Sequence, residues 1–460
     1  MRIICISMCV ILSILLCAMA SAAVKPCALF SDGAVIQRGA IVPIWGTAED
    51  GEKVTVKFRG QVVSTTASGG RWMVRLRPLK AGGPYTMLVN DEEITNLLVG
   101  EVWVCGGQSN MEMSLSLCEN ADAAIAGSAD KMIRLYSVPK RIEPGELPKA
   151  WRECAPETVK TFPGVPYYFG RELRKAIKVP IGLIDTAVGA SPAEAWTRLS
   201  DIQSNPELMD ILDKPWTLPS YLYMSVISPL QPFAIRGVIW YQGESNALAL
   251  RAYEYKALFS AMVRGWREDW KQGDFPFLCV QLAPFAGEKD PKYIDQWAEL
   301  REAQLQVSQT VPRTAMVVIT DYGDELDIHP KKKDPVGYRL ALAAQAVAYG
   351  KDVVYSGPTF KSMRTEGSRV ILNFDHVHGG LVAKDGKLIG FTIAGDDRKF
   401  ISAVAEIKGR TVIVSNRNVI NPMAVRYGWK NYPEVNLFNK EGLPASPFRT
   451  DNYSLTPGKL

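Results

Sequence analysis

Histidine is scarce in this sequence, which has only three histidines in 460 residues. No Cys-x-x-Cys pair and no cluster of histidines occurs, so the ligand spacing of a structural zinc site is absent. The net charge is only +5, and the densest basic tract is the short run Lys331, Lys332 and Lys333. We therefore expect no metal site and no nucleic acid partner.

Long apolar runs are also missing, except at the amino terminus. Arg2 precedes an apolar run at residues 3–19, and small residues follow at 20–23. A basic start, an apolar middle and a small-residue exit are typical of a secretory signal peptide, which predicts cleavage near Ala22 and a secreted or periplasmic protein. A membrane anchor is the alternative, but the run is short for a span of about 20 residues, and no basic stop-transfer sequence follows. No later stretch predicts a membrane span.

Cysteine is sparse once the predicted signal peptide is set aside. Three of the eight cysteines lie in that segment, and the others are Cys27, Cys105, Cys118, Cys154 and Cys279. An odd, scattered set is not typical of a disulfide scaffold, although one or two bridges are compatible with an oxidising compartment.

The order of apolar runs predicts three structural regions. Short alternating runs separated by Gly and Asp turns fill residues 24–98 and predict a small antiparallel β domain. Strand-like runs return at 369–374 and 411–415, which predicts a second β-rich module. We divide the chain into a signal peptide (1–22), an N-terminal β domain (23–98), a catalytic domain (99–350) and a C-terminal β-rich region (351–460).

Between the two β-rich regions, apolar strands alternate with helical segments. The predicted helices are at residues 167–178, 253–270, 296–311 and 337–349, and the strands around them are at 180–186, 235–241, 277–282 and 315–320. This alternation predicts an α/β domain with a parallel sheet and helices on both faces, whose active site lies beyond the carboxyl ends of the strands.

One strand end presents a serine. An apolar strand runs into Gly106 and Gly107, and Ser109 follows where a helix can begin. Glycines permit a tight turn and close approach of a substrate, and the amides of a helix start can face an anion. Ser109 is therefore a candidate nucleophile, and the alternative is that it only caps a helix.

A serine nucleophile needs a base, for which histidine is the commonest residue near neutral pH. In the α/β domain the only histidine is His329, which follows the last predicted strand. The other two, His376 and His378, fall in the C-terminal β-rich region. If Ser109 is activated from within its own domain, His329 is the base.

Acyl transfer also requires N–H donors for the negative charge that develops on the carbonyl oxygen, each worth about 3 kcal/mol. Backbone amides of Ser109 and Gly189 are candidates because both residues follow predicted strands. A side-chain amide from the segment at residues 241–246, Gln242 or Asn246, would complete this oxyanion hole.

Three separated motifs together resemble the sialate O-acetylesterase family of SGNH-type serine hydrolases. They are Gly-Gly-Gln-Ser-Asn-Met at 106–111, Trp-Tyr-Gln-Gly-Glu-Ser-Asn at 240–246, and Asp-Ile-His-Pro at 327–330. The resemblance implies a flavodoxin-like hydrolase domain with flanking β-sandwich-like modules, which removes O-acetyl groups from sugars without a metal or a cofactor.

The same resemblance implies a role for each matching residue. Ser109 is the nucleophile, His329 is the base and Asp327 orients the base. Gly189 supplies a backbone oxyanion donor and Gln242 a side-chain donor, with Asn246 as the alternative donor.

Two positions depart from the family's pattern. A second Gly is common after the one matched by Gly189, but Ala190 stands there, which constrains the turn. The acid is often three residues before the histidine, where this chain has Leu326. Asp327 or, after a fuller loop reversal, Asp324 takes that role, or a backbone carbonyl fixes the ring and the enzyme uses a Ser-His dyad.

The function predicted from the sequence is a secreted esterase that hydrolyses O-acetyl esters of sialic acids. The alternatives are an esterase acting on acetylated xylan or another polysaccharide, and an inactive carbohydrate-binding protein. An α/β-hydrolase fits less well, since its Gly-x-Ser-x-Gly elbow would need a Gly where Met111 stands. Arg198 is a candidate partner for the sialic acid carboxylate, and an ordinary surface charge is the alternative.

Overall fold

The computed structural model describes residues 24–140, 147–213, 215, 217–287 and 295–454. The predicted signal peptide, with its cleavage site near Ala22, lies outside these residues. Within these ranges, no helix combines the length and the apolar character needed to cross a membrane.

An N-terminal β module precedes the central sheet. Its strands are β1 (Lys25–Pro26), β2 (Val35–Gln37), β3 (Val42–Thr47), β4 (Lys53–Phe58), β5 (Gln61–Thr66), β6 (Arg71–Leu76), β7 (Gly82–Val89) and β8 (Glu92–Gly107). One sheet has the antiparallel order β1-β3-β6. A second has the antiparallel order β5-β4-β7-β8, and β8 also pairs with β2 in parallel. Every second side chain of β4 is buried, as period-two alternation predicts.

Strand β8 belongs to both the N-terminal module and the central sheet. The predicted boundary between residues 98 and 99 falls inside this 16-residue strand. Along it, Val102 and Val104 face the hydrophobic core shared with the N-terminal module, whereas Trp103 and Cys105 face the core on the opposite side. The strand that leads to Ser109 is thus buried on both faces.

The central sheet has the predicted α/β architecture. It adds β9 (Asp130–Ser137), β10 (Arg152–Cys154), β11 (Ile181–Asp185), β12 (Gly237–Tyr241), β13 (Phe277–Val280) and β14 (Thr314–Val317). The strand order is β10-β9-β11-β8-β12-β13-β14, and all neighbours are parallel except the antiparallel edge pair of β10 and β9. The predicted parallel sheet is confirmed.

Helices cover both faces of this sheet. They are α1 (Ser109–Glu112), α2 (Ala121–Ala126), α3 (Pro156–Val159), α4 (Gly164–Ile177), α5 (Leu199–Gln203), α6 (Met209–Asp213), α7 (Glu244–Leu248), α8 (Tyr255–Trp270), α9 (Gln296–Thr310) and α10 (Asp334–Val347). Helices α4 and α10 pack on one face, and α8 and α9 on the other. Both α4 and α10 begin before the predicted residues 167 and 337, and their first turns contain Pro166 and Pro335. Proline is tolerated in a first turn because its missing N–H would have no partner within the helix there.

A C-terminal β-rich module completes the structure. Its strands are β15 (Thr359–Glu366), β16 (Arg369–Asp375), β17 (Leu381–Ala383), β18 (Phe391–Ala394), β19 (Ile401–Ser402), β20 (Val404–Lys408), β21 (Thr411–Ser415), β22 (Ala424–Tyr427), β23 (Leu437–Asn439) and β24 (Phe448–Arg449). The buried Arg301 of α9 links this module to the central domain. Its guanidinium donates hydrogen bonds to the carbonyls of Lys430 and Asn431 in the C-terminal module and to the carbonyl of Leu282 in the central domain.

The five cysteines predicted to remain in the mature chain are all free thiols in the described structure. The one or two disulfides that the sequence allowed are therefore not formed between these residues. Hydrophobic cores on both faces of the sheet and a third core in the C-terminal module hold the fold together.

Candidate active site

Three strands of the central sheet end at one edge, and their loops carry most of the predicted site. In the register of the sheet, Asp185 of β11 pairs with Cys105 of β8, and Tyr241 of β12 pairs with Gly107. Because the strands are parallel, the segments that follow them emerge side by side at the carboxyl edge. This pairing brings together the loops that contain Ser109, Gly189 and Gln242.

The turn after β8 fixes the position of Ser109. Gly107 has a φ of +137°, and a Cβ atom at this position would lie 2.1 Å from the carbonyl oxygen of Tyr241. Only glycine fits there. Gln108 is the N-cap residue of α1 and has an extended backbone, and Ser109 is the first helical residue of α1. The alternative that Ser109 is merely the N-cap is therefore wrong.

The hydroxyl of Ser109 contacts the ring of His329. The distance from His329 Nε2 to Ser109 Oγ is 2.8 Å, which is a hydrogen bond. Partial burial of the imidazole lowers the pKa of His329, the positive charge of Lys333 lowers it further, and Asp327 opposes both effects. The lowered pKa favours the neutral form of the ring, which can accept the serine proton.

The loop from residue 318 to residue 333 carries His329 over the edge of the sheet. At its start, Arg339 of α10 forms a bidentate ion pair with Asp321, with both N–O distances 2.7 Å, and donates to the carbonyl of Val318. Further along, Asp324 Oδ1 accepts hydrogen bonds from the amides of Leu326 and Asp327, at 2.8 and 2.9 Å. These contacts shape the loop where its residues 324–327 are all exposed.

The two candidate carboxylates have different surroundings. Asp327 Oδ1 lies 3.7 Å from His329 Nδ1, beyond hydrogen-bond range, and the same oxygen accepts the backbone N–H of His329 at 2.8 Å. Asp324 accepts two backbone hydrogen bonds through Oδ1, and these hydrogen bonds lower the pKa of its carboxyl group. The structure thus places Asp327 beside the ring and Asp324 in the turn that precedes it.

Gly189 lies next to Ser109. A Cβ atom on Gly189 would lie 3.8 Å from Ser109 Cβ and 2.8 Å from a carboxylate oxygen of Glu112. Among the described residues, no acceptor takes a hydrogen bond from the backbone amide of Ser109 or of Gly189. Ala190, at the departure from the family pattern, adopts a left-handed φ of +54°. The turn therefore takes a conformation that a second glycine would adopt without strain.

The side chains of Gln242 and Asn246 are buried and bound to other protein groups. Gln242 Nε2 lies 2.8 Å from Asn246 Oδ1, 3.1 Å from Gln108 Oε1 and 3.2 Å from the carbonyl of Ser191. Asn246 Nδ2 donates to Glu194 Oε2 at 2.9 Å. This network supports the loops around Ser109, and it directs the amide group of Gln242 and one N–H of Asn246 at protein acceptors.

Comparison with known proteins agrees with this geometry. The sequence profile of the family described as carbohydrate esterase, sialic acid-specific acetylesterase matches residues 99–346. Sialate O-acetylesterase from Homo sapiens is 30% identical over 464 residues, which cover 88% of each chain. The solved structure of a carbohydrate acetylesterase from Xanthomonas citri is 40% identical, with a TM-score of 0.88 over 94% of this chain and 100% of that chain.

This chain belongs to the sialic acid-specific acetylesterase family. It is a serine esterase of the sialate O-acetylesterase type, and its substrate is an acetylated carbohydrate. The family and fold class predicted from the three motifs are confirmed. A serine that is hydrogen-bonded to an imidazole at the carboxyl edge of a parallel sheet, beside backbone amides that have no acceptor among the described residues, suits acyl transfer.

Arg198 does not serve as an available cation in this esterase. Its guanidinium makes ion pairs with Asp201 at 2.6 Å, Glu268 at 2.5 Å and Asp269 at 3.0 Å. Its charge is used to join α5 to α8, so the expectation that it binds a substrate carboxylate is wrong. His376 and His378 lie in the turn after β16, within the C-terminal module, as predicted.

Sequence reasoning missed two polar residues behind the esterase's Ser-His pair. Asn110 and Lys333 are both 1% exposed, and their side chains are hydrogen-bonded to each other. Asn110 stands inside the motif that contains Ser109, and Lys333 is the last residue of the run of three lysines. That run stood out only as the densest basic tract, and nothing in the sequence distinguishes its third member.

Proposed function

We propose that this esterase is secreted or periplasmic and removes O-acetyl groups from sialic acids, with Ser109 as nucleophile and His329 as base. The single observation that carries the catalytic assignment is the 2.8 Å contact between Ser109 Oγ and His329 Nε2. The alternative of an inactive carbohydrate-binding protein required these side chains to lie far apart. Export rests on the signal-like sequence at residues 1–22.

The proposed reaction has two acyl-transfer steps. Ser109 Oγ attacks the carbonyl carbon of the acetyl ester while its proton passes to His329 Nε2. The tetrahedral intermediate then collapses, the sugar hydroxyl leaves with the proton from His329, and the acetyl group remains on Ser109. Water attacks this acyl-enzyme, again losing its proton to His329, and acetate is released with the proton returned to Ser109 Oγ.

The amides of Ser109 and Gly189 are the proposed oxyanion donors, since both are without an acceptor in the described structure and lie at the nucleophile. The roles of Gln242 and Asn246 as direct donors stay predictions. Their hydrogen bonds to Gln108, Ser191 and Glu194 favour support of the loops instead.

Asp327 is the proposed orienting carboxylate. In the structure it lies 3.7 Å from His329 Nδ1, and a small rotation of the ring or of the carboxylate on substrate binding would close this gap to a hydrogen bond. Its negative charge favours the imidazolium that forms when Ser109 attacks. A Ser-His dyad remains the alternative that mutation of Asp327 tests.

Acetate release from pure protein tests the substrate assignment. The protein is incubated separately with O-acetylated N-acetylneuraminic acid and with acetylated xylan, with the Ser109→Ala variant as control for contaminating esterases. We expect faster release from the sialic acid, and none from either substrate with the variant. Release from xylan alone would replace the sialate assignment with polysaccharide deacetylation.

A further inference from the structure

The three consecutive lysines after the His329 loop have different surroundings. Lys331 and Lys332 are exposed, whereas Lys333 is 1% exposed. Burial of an ammonium group is unfavourable unless polar partners replace its water. The partners of Lys333 therefore indicate what its burial accomplishes.

Lys333 belongs to a hydrogen-bonded chain centred on Asn110. Lys333 Nζ donates to Asn110 Oδ1. Asn110 Nδ2 in turn lies 2.6 Å from Glu244 Oε1 and 2.9 Å from the carbonyl oxygen of Ile328. One buried amide therefore contacts a cation, a carboxylate and the backbone beside His329.

These partners come from the three segments that build the active site. Asn110 follows the nucleophile directly, Glu244 begins α7 after β12, and Ile328 precedes the catalytic histidine in its loop. Lys333 is the N-cap residue of α10. Its backbone carbonyl accepts a hydrogen bond from the N–H of Gly337 at 3.1 Å, so the backbone of Lys333 is anchored to this helix. The chain of hydrogen bonds thus links the exposed loop to rigid elements.

Charge holds this arrangement together without a direct ion pair. Among the described residues, Glu244 and Lys333 form no direct ion pair, and the side-chain amide of Asn110 bridges them. Glu244 is 2% exposed, and its second oxygen has no hydrogen-bond partner in the described structure. Burial raises the pKa of Glu244 and the charge of Lys333 opposes this shift, so removing the lysine would leave a buried carboxyl group without its cation.

We propose that Lys333 is a positioning residue, which acts through Asn110 and Glu244 to fix the His329 loop against Ser109. Its charge also acts on the base, since it lowers the pKa of His329. The inference rests on the catalytic roles of Ser109 and His329 proposed above. The contact chain explains why a lysine is buried at the junction of the loop and α10.

The charged groups around Lys333 determine the expected pH effect. It faces Cys118, Glu244 and Asp327. Burial raises the pKa of Cys118 to about 11, so the thiol is neutral where His329 titrates. Burial lowers the pKa of Lys333 to about 8, so the lysine is charged in that range. Loss of this charge should therefore raise the pKa of His329.

The test compares Lys333→Met with Lys331→Met, a matched change of an exposed lysine in the same run. In Lys333→Met we expect kcat to fall by about 10- to 100-fold with little change in KM, as for a misplaced catalytic group. We also expect the acid limb of kcat/KM to move to higher pH. Lys331→Met should match the wild type in both. A folded Lys333→Met with wild-type kcat and pH profile would overturn the inference.

Two further variants separate positioning from general stability. Asn110→Ala breaks the bridge but keeps the lysine charge, so kcat should fall while the acid limb shifts less than in Lys333→Met. The double variant Lys333→Met with Glu244→Gln removes both buried charges, so thermal stability should recover while kcat stays low. Full recovery of kcat in the double variant, or wild-type kcat in Asn110→Ala, would show that Lys333 has only a structural role.

The Ser109→Ala variant keeps this test distinct from the proposed function. If Ser109→Ala retains activity, the catalytic assignment fails whatever Lys333 does. If Ser109→Ala is inactive and Lys333→Met is normal, the catalytic assignment stands and the positioning role fails.

Discussion

Ser109 and His329 reach the same point from very different surroundings. Ser109 follows a strand that is buried without interruption from residue 97 to residue 107. His329 lies in a loop whose residues 324–327 are all exposed, with Leu326 at 89%. Ser109 is thus held by sheet register and core packing, and His329 by a small number of polar contacts.

This difference predicts different effects for substitutions near the Ser109 strand and for substitutions in the His329 loop. Damage to the strand side should unfold the central domain, because its side chains form the cores on both faces of the sheet. Damage to the loop side should leave the fold intact and lower kcat, because few apolar groups are lost. The following predictions test the comparison in order of decreasing effect.

The largest effect is expected from Ser109→Ala. Removal of the hydroxyl leaves the backbone of α1 unchanged and eliminates the proposed nucleophile, so acetate release should fall by about 10³-fold or more. The melting temperature should stay close to that of the wild type. Retention of more than about a tenth of the activity would show that another group attacks the ester.

His329→Ala should cause a loss nearly as large and also remove the acid limb of the pH profile. Below its pKa the imidazole is protonated and cannot accept the serine proton, so the wild-type rate should rise with pH through the titration of His329. Because burial and Lys333 lower this pKa, the midpoint should lie below about 6.5, the value for an unperturbed histidine.

The matched controls for this prediction are His376→Ala and His378→Ala, both in the C-terminal module. Each should keep the acid limb and most of the activity. Loss of the acid limb in either variant would show that the base lies in the C-terminal module and is not His329.

The carboxylates of the loop should differ in effect. Asp327→Asn should lower kcat by less than the about 10⁴-fold seen for a directly bonded carboxylate, because Asp327 is 3.7 Å from the ring nitrogen. Asp324→Asn should have little effect, since the amide oxygen can still accept from Leu326 and Asp327. A larger loss in Asp324→Asn would transfer the orienting role, and small losses in both would support a Ser-His dyad.

The smallest effect is expected at the Gly189 turn. Ala190 has a φ of +54°, a region that costs a non-glycine residue about 1–2 kcal/mol, part of which is offset by the greater chain entropy of glycine. Ala190→Gly should therefore stabilise the protein by up to about 1 kcal/mol with little change in kcat. A clear destabilisation in chemical unfolding would mean that the Ala190 methyl makes a packing contribution greater than this strain.

Much of the strand side could be predicted from the sequence. Apolar runs that alternate with amphipathic segments identified the parallel sheet, and Gly106 and Gly107 before Ser109 marked the strand end. These features are local, so a pattern of period two or 3.6 is enough to locate them. The scarcity of histidine then selected His329 by elimination.

The loop side was less predictable, because its contacts join residues far apart in sequence. Nothing in the run of lysines indicated that Lys333 is buried against Asn110, more than two hundred positions earlier. The partners of Gln242 and Asn246 were likewise invisible, since hydrogen bonds to Glu194 and Ser191 depend on how three loops pack. The ion pairs of Arg198 with Glu268 and Asp269 were also unpredictable, because these partners lie about 70 positions away in α8.

Covalent labelling with a fluorophosphonate, followed by mass spectrometry of the peptides, is the most direct test of the central claim that the buried strand end and the exposed loop together form one nucleophile-base pair. The account predicts one adduct per chain, located on Ser109, and labelling that becomes much slower in His329→Ala. An adduct on a different serine, or equally fast labelling of Ser109 without His329, would contradict it.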